Sequence, residues 1–450
     1  MTRGSTRRTV LMAGLGWGLA GCGGGGGAGE APVAGGPSVQ RLEAGEAHVG
    51  EAVQITAVFS GGQGRIEPDI GGVRSGVPVF TPALAAPRRY TLVVEAAGQP
   101  AVRRELEVRP IYRDRYVALE GSPRLQYHAA VTAADGSVLV IGGSRGLSAP
   151  SESIDRYDPA TRRFNRIGSL YTGRTNHTAT RLADGRILVL GGTVGLSSGG
   201  FAELVDPATG TAEPAGWPVR PRFRHATVAL ADGRALVVGG LQNDSVELWD
   251  PATRRFRLVA DRMANVREFA TATRLADGRV LIVGGDHTGP AQRLAEIFDP
   301  ATERFDRVAS PLNEERRAMH EAHALPDGRV LVLGGELRTD TGFEPLDTVL
   351  AFNPATQTLA PQGRLEQPRS LVRSLLLPDG RVRFFGGQTG EEPSARSAGA
   401  YTPGGNAQPL AGMPAGRAWH TVSALADGRV LILGGDAEDG SAVLSALLYE

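Results

Sequence analysis

Lysine is absent from the 450-residue chain, so all 48 of its basic side chains are arginines. Chemistry that needs a lysine amine, such as Schiff-base formation, is therefore excluded. Two explanations of the arginine usage stay open. It suits the recognition of planar anions, and it also follows from the codon bias of a GC-rich genome.

Cysteine occurs once, as Cys22, and the 48 acidic side chains balance the basic ones. A single cysteine cannot form an intrachain disulfide or a metal site built from several cysteines. A chain without net charge offers no overall field that would favour nucleic acid or an anionic surface. We therefore expect no nucleic-acid partner.

Residues 1–22 read as an export signal. Several arginines precede a short apolar stretch, Val10–Ala20, which is too short to cross a bilayer as a stable helix. The sequence "LAGC", from Leu19 to Cys22, resembles the lipobox of bacterial lipoproteins, in which the signal is cut before a lipidated cysteine. The pair Arg7-Arg8 resembles, more weakly, a twin-arginine export signal.

The lipobox resemblance implies that Cys22 carries the membrane anchor, because two or more acyl chains give stable attachment. The alternative is that Cys22 is a leftover residue of an ordinary signal peptide. Residues 23–37 are rich in glycine and predict a flexible linker. We expect an exported protein, anchored through Cys22 in the cell envelope, at the outer membrane on the periplasmic side or at the cell surface.

Residues 38–110 predict a small antiparallel β-sandwich. The runs Val53–Phe59, Tyr90–Ala96 and Val102–Val108 alternate between apolar and polar residues, with glycine and proline between them. The segment resembles the immunoglobulin-like modules of bacterial surface proteins, although it lacks cysteines and a core tryptophan. The resemblance implies a spacer.

A repeated sequence fills residues 111–450. Asp-Gly pairs recur seven times, each followed seven residues later by Gly-Gly, with a period of 45 to 52 residues. The aspartates are Asp135, Asp184, Asp232, Asp277, Asp327, Asp379 and Asp427, and the Gly-Gly pairs begin at Gly142, Gly191, Gly239, Gly284, Gly334, Gly386 and Gly434. A period of this length indicates a repeat architecture.

Each part of the repeat predicts a strand or a turn. Asp-Gly predicts a two-residue hairpin turn with positive φ angles, which joins two antiparallel strands. The strand that follows, such as Arg186–Leu190 ("RILVL"), is apolar on both faces, which is typical of strands packed between neighbouring sheets. A third strand ends at a turn such as Asp250-Pro251, and a fourth strand carries an aromatic residue such as Phe256.

Four strands in each of seven copies predict a β-propeller. The repeat resembles the kelch family, whose blades carry Gly-Gly after the second strand and aromatic residues in the third and fourth. The predicted fold class is all-β: a seven-bladed kelch-type β-propeller preceded by a small immunoglobulin-like β-sandwich. Two departures are the phenylalanine that usually replaces the tryptophan of the fourth strand, and the missing Asp-Pro in "AYTPGG" at Ala400–Gly405.

The two ends of the repeat region predict a shared sheet. The seventh copy stops at Ala446–Glu450 ("ALLYE"), which is only its third strand. We predict that the segment around Tyr116 ("DRYVALE") supplies the missing fourth strand. Tyr116 lies twelve residues before His128, and the corresponding Phe164 lies thirteen before His177. Such closure would remove an exposed sheet edge.

Candidate ligand-binding residues begin the first strand of most copies, where an arginine is followed three residues later by a histidine. The complete pairs are Arg174/His177, Arg222/His225, Arg317/His320 and Arg417/His420. The first strand of a propeller is innermost, so these pairs should ring the mouth of the central channel. One interpretation is a polar funnel for an anionic or sugar ligand. The other is a scaffold role, in which each residue hydrogen-bonds the neighbouring blade.

The loops after Gly-Gly differ between copies and should lie on the same face as the channel mouth. Glu336–Asp347 ("ELRTDTGFEPLD") is the longest, and we take Glu336 and Arg338 as further candidate ligand-binding residues. Repeat spacing does not match the geometry of a metal site, so we predict no metal and no cofactor.

Two functions fit these observations. One is a binding module for a protein or a glycan; the other is a carbohydrate-active enzyme, because some kelch-like propellers resemble galactose oxidase or sialic acid mutarotases. Copper-radical chemistry in that family needs a tyrosine crosslinked to a cysteine, and the repeat region has no cysteine. Mutarotase- or lyase-like chemistry needs a carboxylate and a base, for which Glu336 and Glu315 are possible carboxylates. No acid–base pair stands out, so we predict no catalytic residue and expect a monomeric binding module rather than an enzyme.

Overall fold

The computed structural model describes residues 35–145, 150–194, 197–285, 294–312, 317–339, 342–443 and 445–450. Within these ranges the chain is all-β and has no helix. Consequently, none of the described residues belongs to a helix long and apolar enough to cross a membrane. The predicted signal, Cys22 and most of the glycine-rich linker lie outside the described residues.

Residues 38–108 form two antiparallel sheets. One has the strand order Ser38–Ala44, Ala52–Ser60, Val79–Ala83, and the other has the order Gly71–Val73, Gln63–Glu67, Arg88–Glu95, Val102–Val108. The alternating side chains that face inward, such as the fully buried Ile55 and Leu92, form one core between the sheets. The sequence pattern predicted three of these strands; it missed Ser38–Ala44 and the three short strands of three to five residues.

The repeats form seven four-stranded antiparallel sheets within the described residues, called here sheets one to seven. Sheet one contains Ala129–Thr132, Val138–Ile141, Ser153–Asp158 and Arg163–Ser169; sheet two Thr178–Arg181, Ile187–Leu190, Glu203–Val205 and Ala212–Pro214; sheet three His225–Ala229, Ala235–Gly239, Val246–Asp250 and Arg255–Leu258; sheet four Thr271–Arg274, Val280–Val283, Ala295–Asp299 and Arg304–Arg307. Sheet five contains Glu321–Ala324, Val330–Leu333, Thr348–Asn353 and Thr358–Arg364; sheet six Arg373–Leu376, Val382–Phe385, Ala398–Tyr401 and Ala407–Leu410; sheet seven Thr421–Ala424, Val430–Leu433, Ala446–Tyr449 and Tyr116–Leu119.

The seven sheets follow one another in a closed circle. The first strand of each sheet contacts the first strand of the next, and that of sheet seven contacts that of sheet one. The second strands are buried along their whole length, as their two apolar faces predicted, because both faces pack against neighbouring sheets. The first strands therefore surround a central channel.

The prediction that both ends of the repeat region share one sheet is confirmed. Tyr116–Leu119 pairs antiparallel with Ala446–Tyr449, and Tyr116 lies opposite Tyr449. The Tyr449 ring is fully buried, with its centroid 5.3 Å from that of Tyr116 and 5.5 Å from that of Tyr112. The N-terminal segment thus completes the core of sheet seven.

The Asp-Gly hairpins are confirmed in position, but the predicted two-residue primed turn is wrong. Only the glycine has a positive φ, for example 88° at Gly185, and the amide of Gly185 donates to the carbonyl of Leu182 at 3.1 Å. The loop is therefore a three-residue turn that ends in a left-handed glycine. The aspartate keeps a negative φ because its carboxylate accepts hydrogen bonds from the arginine two residues later, from both N and Nε of Arg186 onto Asp184.

Two small sheets lie in the loops after Gly-Gly. Thr193–Val194 pairs with Ser197–Ser198, and Glu336–Thr339 pairs with both Arg317–Ala318 and Gly342–Pro345. On the opposite face, the N-terminal sandwich touches the Asp-Gly turn of sheet seven, where a Cβ on Gly428 would lie 2.9 Å from Ala85. We call the face of the Gly-Gly loops the loop face and the face of the Asp-Gly turns the turn face.

Candidate functional site

The Gly-Gly pairs join neighbouring sheets through the backbone. In the described repeats, the amide of the second glycine donates to the carbonyl of the arginine that opens the next repeat, over 2.7–2.9 Å, except that Gly435 donates to Leu125 at 3.2 Å. Both glycines have positive φ, 62° at Gly142 and 90° at Gly143. A Cβ on Gly142 would also lie 2.7 Å from the carbonyl oxygen of Arg174. Only glycine fits both requirements.

Six arginines fill this junction between sheets. Each donates from Nη1 to the carbonyl of the first glycine of its own repeat, and none is more than 1% exposed: Arg174, Arg222, Arg267, Arg317, Arg369 and Arg417. In sheets two, three and four the guanidinium also pairs with a buried glutamate of the third strand: Glu203 at 2.6 Å, Glu247 at 2.8 Å and Glu296 at 3.0 Å.

The predicted ligand-binding arginines belong to this set: Arg174, Arg222, Arg317 and Arg417. Burial lowers the pKa of Arg417 to about 10, so even this guanidinium stays charged at neutral pH. Because all four side chains are enclosed and already bonded to protein atoms, the geometry favours the scaffold interpretation over a ligand-binding funnel. A buried cation held in this way contributes to stability only while its partners remain.

The predicted ligand-binding histidines also lie between sheets. His177, His225, His320 and His420 are at most 8% exposed. A Cβ on Gly191 would lie 2.6 Å from Cε1 of His225, so the imidazole fills the space that the first glycine leaves. Burial lowers the pKa of His177, His225 and His320 to about 3, and these rings are therefore neutral. Their position also favours the scaffold interpretation.

A threonine from the preceding sheet bonds three of the repeat histidines. The pairs are Thr178–His225 at 3.0 Å, Thr271–His320 at 2.9 Å and Thr421–His128 at 2.8 Å, each to Nε2. Each threonine directly follows the histidine position of its own repeat. Repeat one has Ala129 there, and neither ring nitrogen of the facing His177 has a hydrogen-bond partner among the described residues.

The residue just before each histidine position has a left-handed backbone, with φ between 52° and 57°. These seven residues, called here the mouth ring, are Tyr127, Asn176, Arg224, Phe269, Met319, Leu371 and Trp419. Backbone hydrogen bonds link neighbouring members in three pairs: Asn176 to Tyr127, Phe269 to Arg224 and Leu371 to Met319, each from amide to carbonyl, at 3.1, 2.9 and 3.2 Å. A left-handed conformation is uncommon for bulky residues and marks positions that the surrounding structure holds in place. One backbone geometry thus presents seven different side chains.

Aromatic side chains of the mouth ring meet across the channel. Trp419 of sheet seven lies 5.5 Å from Tyr127 of sheet one and 5.7 Å from Phe269 of sheet four, between ring centroids. The guanidinium of Arg224 lies 4.8 Å from the centroid of Phe269, within the range of a cation–π contact. The mouth is therefore lined by partly exposed aromatic faces beside a cation.

A carboxylate from a loop joins this cluster. The Tyr127 hydroxyl donates to Oδ2 of Asp436 at 2.9 Å, and Asp436 is the residue that follows Gly-Gly in sheet seven. Burial is the largest influence on Asp436 and raises its pKa above the usual range. Tyr127 and Asp436 together give the mouth a polar edge that can donate and accept hydrogen bonds.

An ion pair lines the channel just beyond the mouth ring. The Arg373 guanidinium of sheet six donates to Oε1 of Glu321 of sheet five at 2.6 Å, and its Nε donates to the carbonyl of His420. Both side chains are partly exposed, at 32% and 21%. Burial raises the pKa of Glu321, opposed by Arg373. The equivalent positions of the other repeats hold alanine or threonine.

The loop residues singled out by sequence lie at the same face. Glu336 is buried in a ribbon, opposite Ala318, and the exposed Arg338 lies 5.8 Å from the ring centroid of Phe343. Glu315 lies outside the described residues. The structure therefore places Arg338 at the loop face and encloses Glu336 at the base of the same ribbon.

Sequence reasoning missed the mouth ring and the pair Glu321–Arg373. That reasoning selected the residues that the repeats share, and the shared arginine and histidine are enclosed between sheets. The informative positions are those at which the repeats differ. Within the pattern Arg-x-X-His, the residue before histidine differs in every repeat, and charged residues follow the histidine position only in copies five and six.

Comparisons with known proteins agree with this architecture. The kelch motif matches residues 127–170. A solved structure of a fungal alcohol oxidase of the AA5 family, in complex with copper, is similar with a TM-score of 0.60 and 16% identity, and the match covers 75% of each chain. No curated protein matches the sequence. The chain therefore contains a kelch motif and has a β-propeller fold.

The residues present do not fit the copper of that similar structure. No group of three or more histidine, cysteine, aspartate or glutamate side chains among the described residues is placed to hold a metal ion. The imidazoles nearest the mouth are enclosed between sheets, and three of them bond threonine hydroxyls.

Proposed function

We propose that this protein is a lipid-anchored, seven-bladed kelch propeller with an immunoglobulin-like spacer, and that it binds a glycan or protein ligand at the mouth ring. The observation that carries the proposal is the contrast between backbone and side chains. The frame built from Gly-Gly, arginine and histidine repeats from sheet to sheet, whereas all seven mouth-ring side chains differ. A rigid scaffold that varies at one place is how binding sites are commonly built.

The chemistry of the mouth suits a glycan best. The faces of Trp419, Phe269 and Tyr127 offer apolar surface against which the C–H face of a sugar ring can pack. Asp436 and Arg224 offer an acceptor and donors for its hydroxyl groups. A protein ligand would use the same residues differently, since tryptophan, tyrosine and arginine dominate the binding energy of many protein interfaces.

The placement of the N-terminal module supports an orientation in which the mouth ring faces away from the membrane. Val49 and Ala85 of the module approach Gly428 at the turn face. The linker and Cys22 precede the module in sequence. In our proposal the anchor and spacer therefore lie on the turn side, and the mouth faces away from the membrane toward its ligand.

The proposal is tested with the protein lacking residues 1–37, screened on a glycan array and by pulldown from the cell envelope. The ligand found is then measured against two variants, one with Glu336–Asp347 replaced by a short Gly-Ser loop, the other with the Asp-Gly turns of sheets two and three altered. Binding should weaken only in the first variant, because its loop lies at the mouth face. The proposal is contradicted if the loop variant still binds the ligand and the turn variant, although folded, does not. The ligand would then bind at the turn face.

A second candidate function, a carbohydrate-active enzyme of the mutarotase or lyase type, is favoured by one observation. Glu321 is the carboxylate with a raised pKa in the channel, and Arg373 lies within hydrogen-bond distance of it. A carboxyl group whose pKa is raised holds its proton more readily than an ordinary one, which suits a general acid. Sugar anomerisation and glycan cleavage, followed by NMR, should then be lost in Glu321→Gln and kept in Thr271→Val. Absence of turnover in the native protein would reject the enzyme and leave the binding module as the remaining proposal.

A further inference from the structure

The turn-face end of the channel presents a second ring of seven equivalent positions. The last residue of each first strand forms it, and we call these residues the distal ring: Thr132, Arg181, Ala229, Arg274, Ala324, Leu376 and Ala424. Two of the seven are charged, and both are arginines. As at the mouth, the difference between repeats is what points to a specific role.

The two arginines are held along the ring by the same contact. Arg181 donates from Nη1 to the carbonyl of Thr132 at 3.3 Å, and Arg274 donates from Nη1 to the carbonyl of Ala229 at 3.4 Å. Each bond reaches the equivalent residue of the preceding sheet. These bonds are long and involve one nitrogen each, so most of each guanidinium fork stays available to a ligand.

The carboxylates at this face are already paired elsewhere. Asp184, Asp232 and Asp277 each bind the arginine two residues later in their own turn, at 2.7, 2.7 and 2.8 Å. Among the described residues, no carboxylate forms an ion pair with Arg181 or Arg274. The distal ring therefore carries two positive charges that nearby acids do not neutralise.

Arg181 and Arg274 line one cavity. It has a volume of about 640 Å³ and is also lined by Thr180, Thr227 and Ala229. Ala229 stands between the two arginines in the ring, and its small side chain leaves the space open. A volume of this size lies within the ordinary range for small-molecule sites, and the two threonines add hydroxyl groups.

We propose that the distal ring is an oxyanion-binding site, in which Arg181 and Arg274 bind the phosphate or carboxylate groups of one small molecule. The planar guanidinium matches both kinds of group through paired hydrogen bonds. The site lies at the opposite end of the channel from the mouth ring, and it does not depend on what binds there.

The test is isothermal titration of the protein lacking residues 1–37, at low ionic strength, with inorganic phosphate and with citrate as probes. Arg181→Gln and Arg274→Gln keep a polar side chain but remove the charge, and each should weaken binding of the better probe at least about tenfold. Arg163→Gln is the matched control, because Arg163 is an exposed arginine in the fourth strand of sheet one, outside the cavity. It should bind as the native protein does.

A third variant separates the cavity from the charge. Ala229→Leu fills the space between the arginines and keeps both charges, so binding should be lost while circular dichroism shows a folded protein. Tighter binding of citrate would indicate that the ligand presents carboxylate groups to the arginines. Tighter binding of phosphate would indicate phosphoryl groups. The proposal is overturned if the native protein binds neither probe. It is also overturned if the double variant of Arg181 and Arg274 binds equally well, or if Arg163→Gln weakens binding as much.

Discussion

The threonine–histidine bonds between sheets provide a sharp test of the scaffold role. Thr271→Val keeps the shape of the side chain and removes the hydroxyl that bonds Nε2 of His320 at 2.9 Å. His320 is only 3% exposed, so water cannot replace that bond. Leaving a buried polar group without a partner costs about 1–3 kcal/mol, and we expect the free energy of unfolding to fall by that amount.

The reverse change should stabilise the protein. Ala129→Thr places a hydroxyl opposite His177, whose ring nitrogens lack a partner among the described residues. The new hydrogen bond should raise the free energy of unfolding by about 0.5–1.5 kcal/mol. Ala226→Thr is the matched control, because the next repeat has Ala270 in place of the histidine. The added hydroxyl finds no imidazole there, and no gain is expected.

Urea unfolding measures these differences, with tryptophan fluorescence as the signal, to which the fully buried Trp249 contributes. The expected order of stability is Ala129→Thr first, then the native protein, then Thr271→Val. Equal shifts for Ala129→Thr and Ala226→Thr, or no loss in Thr271→Val, would refute the idea that these pairs join the sheets.

Three further predictions follow from the same structure. Burial lowers the pKa of His177, His225 and His320 from 6.5 to about 3, so the unfolded chain binds more protons below pH 6.5; the urea midpoint should fall as pH is lowered from 6.5 to 5, and a constant midpoint would contradict the burial. A protein that begins at Glu120 lacks the strand Tyr116–Leu119 and should melt several degrees below one that begins at Ile111, whereas equal melting temperatures would argue against the shared sheet. Cys22→Ser should move the protein from washed membranes to the soluble fraction, and its full retention in membranes would exclude Cys22 as the anchor.

Much of the strand arrangement could be predicted because turns and close approaches demand particular residues. Gly-Gly recurs where the chain has positive φ and no room for a Cβ, as at Gly142, so it identifies the end of every second strand. The spacing before His128 was enough to place the strand at Tyr116. The turn type was wrong because the sequence does not show that the Asp184 carboxylate bonds Arg186 and keeps a negative φ.

The candidate site was less predictable because a residue can bind a ligand there only if its side chain is not buried between sheets. A polar residue at the start of an inner strand can face the channel or the neighbouring sheet, and the twist of the strand settles which. Arg222 and His225 face the neighbouring sheet, whereas Arg224, between them, lies at the mouth. No composition or spacing distinguishes these two directions, although the variation of the residue before histidine could have done so.

The most direct test of the proposed function uses the ligand found in the screen. It measures the dissociation constant of that ligand for the variant Trp419→Asn. Asparagine tolerates the left-handed backbone, and Asn176 occupies the equivalent position of the mouth ring with φ 54°. Trp217→Asn is the matched control, because Trp217 is 71% exposed and lies outside the ring. We predict at least about tenfold weaker binding for Trp419→Asn and native binding for Trp217→Asn. Native affinity in both variants would contradict binding at the mouth ring.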